Sequence, residues 1–411
     1  MKNLAFQASS VNLSWLFPLF LLQVFVGMGI ADDWPRFRGP GGTGISAETG
    51  LKSDGKLETA WKAKLGLGYS APVIGGGKVI VPGHNGSDTD TLFCFDETEG
   101  NEIWKFSYPQ PLGDRYFPGG TTGTATIDGD RVYYGAREGE LFCLNAEDGK
   151  VMWQVHLVKD FEYTKPEWGF TGAPLVLGDR LYINAGAAGM ALNKSDGSVV
   201  WKSKNDVAGY STPEPLTHEG KDYLIFSTKR SYVCVEPETG KEVWSERWMT
   251  RYGVNAANPV VSGDTILIAS GYGKGAVLLK WEGKEAPVSV WKSRDLKSQM
   301  NAAILVDEYL YGIDGDEGKD GTALKCMKMI DGETLWSEAS IGHGAITIAD
   351  GKLFVLTDSG DLQIAPVSTD VYKPTLKQKV LNGRVWTVPV IANGRLYCRD
   401  ETGEFVVLSL K

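Results

Sequence analysis

Residues that could carry chemistry are few in this chain and far apart. The four histidines, His84, His156, His218 and His343, are scattered, with no HExxH pair and no zinc-ligand spacing. No serine sits in a GxSxG elbow, so the exposed nucleophile of acyl-transfer enzymes is not written here. The stretch "GYGKGA" (271–276) has the glycines of a phosphate loop but not its GK[ST] ending, and a turn between strands is expected. "DGDEGKDG" (314–321) places Asp314, Asp316 and Asp320 on one loop. Gly318 breaks the EF-hand ligand pattern at its fifth position, and a solvated acidic turn is expected ahead of a calcium site. No catalytic residue is assigned, and metal ligation is left open.

A second set of side chains becomes a site only if the fold gathers it. Tyr69, Phe170, Tyr210, Asn255, His343 and Trp386 each precede a strand-like segment, and Arg230 and Arg384 stand in nearby turns. Whether they meet depends on the elements that carry them.

Those elements repeat. "LFCFDETEGNEIW" (92–104), "LFCLNAEDGKVMW" (141–153) and "YVCVEPETGKEVW" (232–244) are near copies of one hairpin. A tryptophan follows a glycine at a fixed offset in Gly100/Trp104, Gly149/Trp153, Gly197/Trp201, Gly240/Trp244 and Gly332/Trp336, with Trp61 and Trp291 continuing the series. Consecutive tryptophans are 43 to 49 residues apart, the period of a four-stranded propeller blade. Within a unit, "GTATID", "DRVYYGA", "GELFCLN" and "KVMWQVH" alternate apolar with polar residues and are separated by glycine- and aspartate-rich turns.

Helical spacing is scarce and eight units can be counted, so the fold expected is all-β: an eight-bladed β-propeller of four-stranded antiparallel blades. The eighth unit holds three strands, and "LETAWKAKL" (57–65) supplies the missing outer one, closing the ring. The seventh lacks the glycine–tryptophan pair and is still counted as a blade. The seven tryptophans are expected to dock neighbouring blades, since no binding site needs one tryptophan around an entire ring.

Residues 1–31 read as a signal peptide, with an apolar run (15–30) short of a membrane span and small residues at Gly29 and Ala31. The remainder, 32–411, is a single propeller with a leading strap (32–56) in which Trp34, Phe37 and Pro40 pack over the ring. Export to the periplasm or beyond is expected, as a soluble monomer and not a lipoprotein, because no cysteine follows the apolar run before Cys94. Cys94, Cys143, Cys234 and Cys326 each lie six residues before a glycine, where Ala191 stands in the third unit; buried free thiols are expected rather than disulfides. The net charge of −9 argues against a nucleic-acid partner.

These hairpins resemble the PQQ-like β-propeller repeat, whose units end in a pattern like "LYALDAxTGxxxW". The resemblance covers nearly the whole of 32–411, and "DWPRFRGPGGTGIS" (33–46) is similar to a segment of exported bacterial proteins of this type. It implies one of two lives. Quinoprotein dehydrogenases hold pyrroloquinoline quinone and calcium in the central funnel, and the alcohol dehydrogenase branch sets a vicinal disulfide over the quinone. Relatives such as the outer-membrane assembly propeller bind protein partners without a cofactor. Adjacent cysteines and a CxxCH haem site are absent from this sequence, and its loops are short.

The expectation is therefore an exported, non-catalytic binding or scaffolding module of the cell envelope with no cofactor. A small PQQ-dependent dehydrogenase and a carbohydrate-binding propeller are the alternatives. A channel mouth of aromatics with nearby arginines suits an anionic or sugar-like ligand; the competing reading is that the aromatics plug the channel and the arginines are merely solvated.

Overall fold

The computed structural model describes Met1, residues 32–316 and residues 321–411. Residues 2–31 of the expected signal segment (1–31) and Asp320 lie outside the described residues. From Asp32 onward the chain forms eight antiparallel sheets, one per sequence repeat. Blade 1 consists of Val73–Gly75, Lys78–His84, Thr89–Asp96 and Glu102–Pro109, from inner to outer strand. Blades 2 to 8 begin at the inner strands Thr126–Asp128, Leu175–Leu177, Glu214–His218, Val260–Ser262, Ile304–Val306, Ala345–Ala349 and Val390–Ala392. Among the described residues the helical content is a single 3₁₀ turn, Ala339–Ile341.

The outer strands explain the repeated motif. Each strand bearing the tryptophan slips register by one residue next to it, as between Val151 and Trp153 opposite Leu144 and Cys143. The same irregularity occurs in the other tryptophan-bearing blades, whereas the outer pair of blade 7, which has no tryptophan, runs without a slip. A bulge re-aims a side chain and increases local twist. Here it turns each indole toward the next blade.

There the ring lies on the third-to-outer turn. A Cβ on Gly149 would come within 2.6 Å of the Trp104 ring, and one on Gly197 within 2.8 Å of Trp153. These glycines also have positive φ, 70° and 74°, so both conformation and space demand glycine. The indole nitrogens donate to the carbonyl three residues before that glycine: Trp61 to Glu97 (3.0 Å), Trp104 to Ala146 (2.9 Å), Trp153 to Lys194 (3.1 Å), Trp201 to Pro237 (2.6 Å) and Trp291 to Met329 (2.9 Å). Trp244 differs: its indole nitrogen is buried without a partner, and the ring packs at 6.1 Å from Trp281.

The cysteines follow from the same geometry. Cys94, Cys143, Cys234 and Cys326 sit directly across the strand from Trp104, Trp153, Trp244 and Trp336, as Ala191 does from Trp201, while Val407 and Leu278 hold the same place opposite Trp61 and Trp291. All five cysteines are buried free thiols.

Two devices close the ring. Thr59–Lys64 pairs antiparallel with Glu404–Ser409 and completes blade 8. Arg399, fully buried in blade 8, donates to the carbonyls of Ser70 (3.2 Å) and Pro82 (2.7 Å) beside blade 1. In blade 7 the part of the missing tryptophan is taken by Gln378, whose amide exchanges hydrogen bonds with the backbone of Leu57.

The strap crosses the end of the channel where inner strands turn into second strands. Trp34 bridges Ile74 of blade 1, Ile127 of blade 2 donates to the Pro35 carbonyl, and Ile45–Ser46 adds a parallel strand to blade 7. Glu48 accepts the Gly394 amide in blade 8. Trp34 is buried as expected, but Pro40 is exposed; the inward anchor is Arg38, which no pattern singled out. Its guanidinium donates to Gly42, Thr43, Ala302 and Ala303 carbonyls at 2.9 to 3.1 Å.

Candidate functional site

Alternating strand direction puts the outer-to-inner connections and the second-to-third turns on one face, opposite the strap. There the channel widens into a cavity of about 820 Å³. Seven of the eight outer-to-inner connections contribute side chains; Phe37 of the strap forms part of the floor. Nine of the lining residues are aromatic and only three are charged: Glu167, Arg251 and Asp316.

The rings fall into groups. Tyr69 stacks on Trp386 (4.8 Å, 26°) with Phe117 5.7 Å from Tyr69. Trp168 lies 5.7 Å from Tyr210 and 6.4 Å from Tyr116. Tyr252 meets Tyr272 edge-on at 5.1 Å. Three arginines cover rim aromatics: Arg115 over Tyr116 (4.8 Å), Arg251 over Tyr252 (5.4 Å) and Arg384 over Trp386 (5.2 Å). Two of these arginines also face carboxylates, Arg115 to Glu167 at 3.2 Å and Arg384 to Glu401 at 3.8 Å.

Of the residues expected at the mouth, Tyr69, Tyr210 and Trp386 line the cavity, and Arg384 flanks it through Trp386. Four stand elsewhere. Phe170 is turned into the wall between blades 2 and 3, buried with Leu157 and Tyr163. Asn255 is fully buried and donates to the Thr228 and Trp248 carbonyls (both 2.9 Å), which fixes the loop that presents Arg251 and Tyr252. His343 belongs to the connection that does not reach the cavity; its burial pushes the imidazole pKa down to about 4, against the pull of Asp358 and Asp316. Arg230 is exposed on the tight turn closed by Thr228 and Ser231, outside the lining.

The acidic loop is also corrected. Asp314 is buried, not solvated, between Lys297 (2.8 Å) and Lys325 (2.7 Å). Asp316 accepts the Tyr272 amide and reaches the lining.

Sequence reasoning missed Tyr116, Phe117, Trp168, Tyr252 and Tyr272. A usable sign was present: "DRYF" (114–117) and "TRYG" (250–253) put an Arg–Tyr pair in the same kind of connection twice.

The threonines of the wall are partly committed to the ring itself. Ala71 donates to Thr124 (3.2 Å), Ala173 to Thr212 (3.0 Å) and Thr212 to Asn258 (3.2 Å), linking adjacent blades. Thr122 Oγ1 and Trp386 Nε1, by contrast, are covered and have no hydrogen-bond partner.

Asn258 also donates to Glu214 (2.8 Å) at the start of the blade 4 inner strand. Glu214 keeps some accessible surface, yet protein surrounds it. Its pKa is pushed up to about 7 by burial, partly offset by the Asn258 hydrogen bond and by Arg38 and Arg36 of the strap.

The quinone cofactor of the dehydrogenase branch is a flat tricarboxylate held with calcium. The lining fits it poorly, offering one guanidinium against two carboxylates, and no three described His, Cys, Asp or Glu side chains cluster to hold a metal ion. No described lining residue is a histidine, cysteine, serine or lysine.

A family profile described as outer membrane protein assembly factor BamB matches residues 89–338. No curated protein matches the chain. Among solved structures, BamB from Moraxella catarrhalis superposes with a TM-score of 0.63 at 17% identity, covering 86% of this chain and 100% of its own. The quinohemoprotein alcohol dehydrogenase from Comamonas testosteroni gives 0.61 at 16%, covering 92% and 80%. The computationally designed Ika8 protein gives 0.59 at 12%, covering 88% and 100%. Likeness at this level, shared with a designed ring, carries the fold and not an activity.

Proposed function

The chain belongs to the propeller family described as outer membrane protein assembly factor BamB, and from that footing we propose that it is a non-catalytic binding module of the cell envelope that captures its ligand in the aromatic funnel. Residues 1–31 would direct its export, and the propeller would act outside the cytoplasm. The observation that carries this reading is the composition of the lining: nine aromatic rings, three charged groups, and no nucleophile–base pair. Concave, largely apolar sites with a few convergent polar groups bind ligands. Proton transfer or covalent catalysis needs a titratable group of matched pKa within reach of the reacting atom.

Two measurements test the proposal. Hydrogen exchange of the purified chain, with and without a soluble extract of the envelope, should show protection confined to the connections around Trp168, Tyr252 and Trp386. A calorimetric titration with pyrroloquinoline quinone and calcium should give no saturable heat. Binding near one per chain, lost on chelation, would overturn the non-catalytic reading; absence of any protection would overturn the funnel as the site.

A further inference from the structure

We infer that the funnel takes a neutral oligosaccharide, its sugar faces stacked on the rim rings and its hydroxyls bonded to the polar groups beneath; this rests on the reading of the funnel as a binding site. Three independent features of the wall converge on that chemistry.

The first is the presentation of the rings. Tyr116 is 73% and Tyr252 53% exposed, although both are large and partly apolar. An arginine lies over each, and a third over Trp386, which holds the ring planes in place. A fixed flat ring open to solvent gives the C–H face of a pyranose a ready platform at little ordering cost.

The second is charge. Arg115 and Arg384 face Glu167 and Glu401, so two of the three rim guanidiniums already meet carboxylates. The lining adds Asp316 and Arg251, of opposite sign. A phosphate or polycarboxylate would find no surplus of positive charge, and a cation would find Asp316 already accepting the Tyr272 amide. A neutral ligand leaves these groups as they are.

The third is polarity within an aromatic wall. Gln299 and Asn301 contribute amides to the lining, beside the threonines Thr122, Thr171 and Thr387. A purely apolar ligand would cover such groups without satisfying them. A polyhydroxyl ligand supplies donors and acceptors at once. The volume, about 820 Å³, lies toward the upper end of the range of small-molecule sites, roughly 300–1,000 Å³; this suits several sugar rings better than one.

The test is an array of neutral and acidic oligosaccharides probed with the purified chain, followed by titration of the best neutral binder using tryptophan fluorescence. Binding confined to neutral glycans is expected, weakened at least tenfold by Tyr252→Ala with Trp386→Ala. Should the double variant fail to fold, Tyr116→Ala, at an exposed ring, is expected to weaken binding severalfold with an unchanged melting temperature. Binding only to sulfated or uronate glycans, or no glycan binding while the envelope extract still protects the rim from exchange, overturns the neutral saccharide and leaves the funnel as a site. No glycan binding and no protection overturns both.

Discussion

Glu214 gives the sharpest quantitative prediction. Its folded-state pKa of about 7 stands above the ordinary 4.5 because burial outweighs Asn258, Arg38 and Arg36. A carboxyl whose pKa is raised on folding binds its proton more tightly in the folded chain. Its stabilising contribution is therefore complete below pH 4.5 and is lost as pH rises through 7. The difference of about 2.5 units, at 1.36 kcal/mol per unit, amounts to about 3 kcal/mol. With an unfolding entropy of about 2.1 cal/mol/K per residue, a propeller of roughly 380 residues changes its melting temperature by about 4 °C for that energy.

Glu214→Gln keeps the shape and removes the charge. Melting curves of both proteins at pH 4.5 and pH 8 should nearly coincide at the lower pH and separate by about 4 °C at the higher, with the variant the more stable. Asp90 (about 6), the raised Glu97 and the lowered His343 also titrate over this span, but they are common to both proteins and cancel in the difference. A gap that does not change with pH would refute the argument. So would a variant less stable at pH 8, which would mean that the two strap arginines outweigh burial.

The blade interfaces give three more predictions. Trp104→Ala removes a buried ring and its hydrogen bond to Ala146, and should cost about 3–5 kcal/mol in denaturant unfolding. Gly149→Ala should cost clearly more than Gly129→Ala: both have positive φ, worth about 1–2 kcal/mol, but only the first drives a methyl into the Trp104 ring, whereas Gly129 has nothing within 4 Å. Equal melting temperatures for the two alanine variants would show that the ring moves aside freely. The five thiols should resist a disulfide reagent in the native protein and react together on unfolding, since all are buried and burial raises those of Cys94 (to about 12), Cys234 and Cys398.

The fold was legible because its grammar is local and repeated. The glycine–tryptophan spacing, the buried residue opposite the ring, and the strand that completes blade 8 all follow from one unit read several times. Docking of each ring on the neighbouring blade was legible too, but its seat was not: Trp104 packs on Gly149 of the next repeat, not on Gly100 of its own. The site was harder because its residues come from the connections, where periodicity ends. Tyr69, Tyr210 and Trp386 could be placed by counting loops. Phe170 and Asn255 occupy comparable positions, yet a loop's path can turn a side chain into the wall, and no spacing rule encodes that turn. Tyr272 and Asp316 arrive from second-to-third turns, and Phe37 from the opposite face of the ring. Arg38 looked like one more charged residue in a proline- and glycine-rich lead, although it bonds to carbonyls 264 and 265 residues further on.

That last separation bears on the order of assembly. The strap opens on blades 1 and 2, at Ile74 and Ile127, but its further seats on Ala302, Ile348 and Gly394 belong to the last three blades. The early blades can pair their strands locally before the strap is fully seated, because each hairpin closes over a few residues and the later seats of the strap close over hundreds. The last seats of the strap and the pairing of Thr59–Lys64 with Glu404–Ser409 then come late. A chain stopped short of blade 8 would lack the Gly394 seat of the strap and leave Thr59–Lys64 unpaired, and so would present itself to proteases as unfinished. The ring thus checks its own completeness.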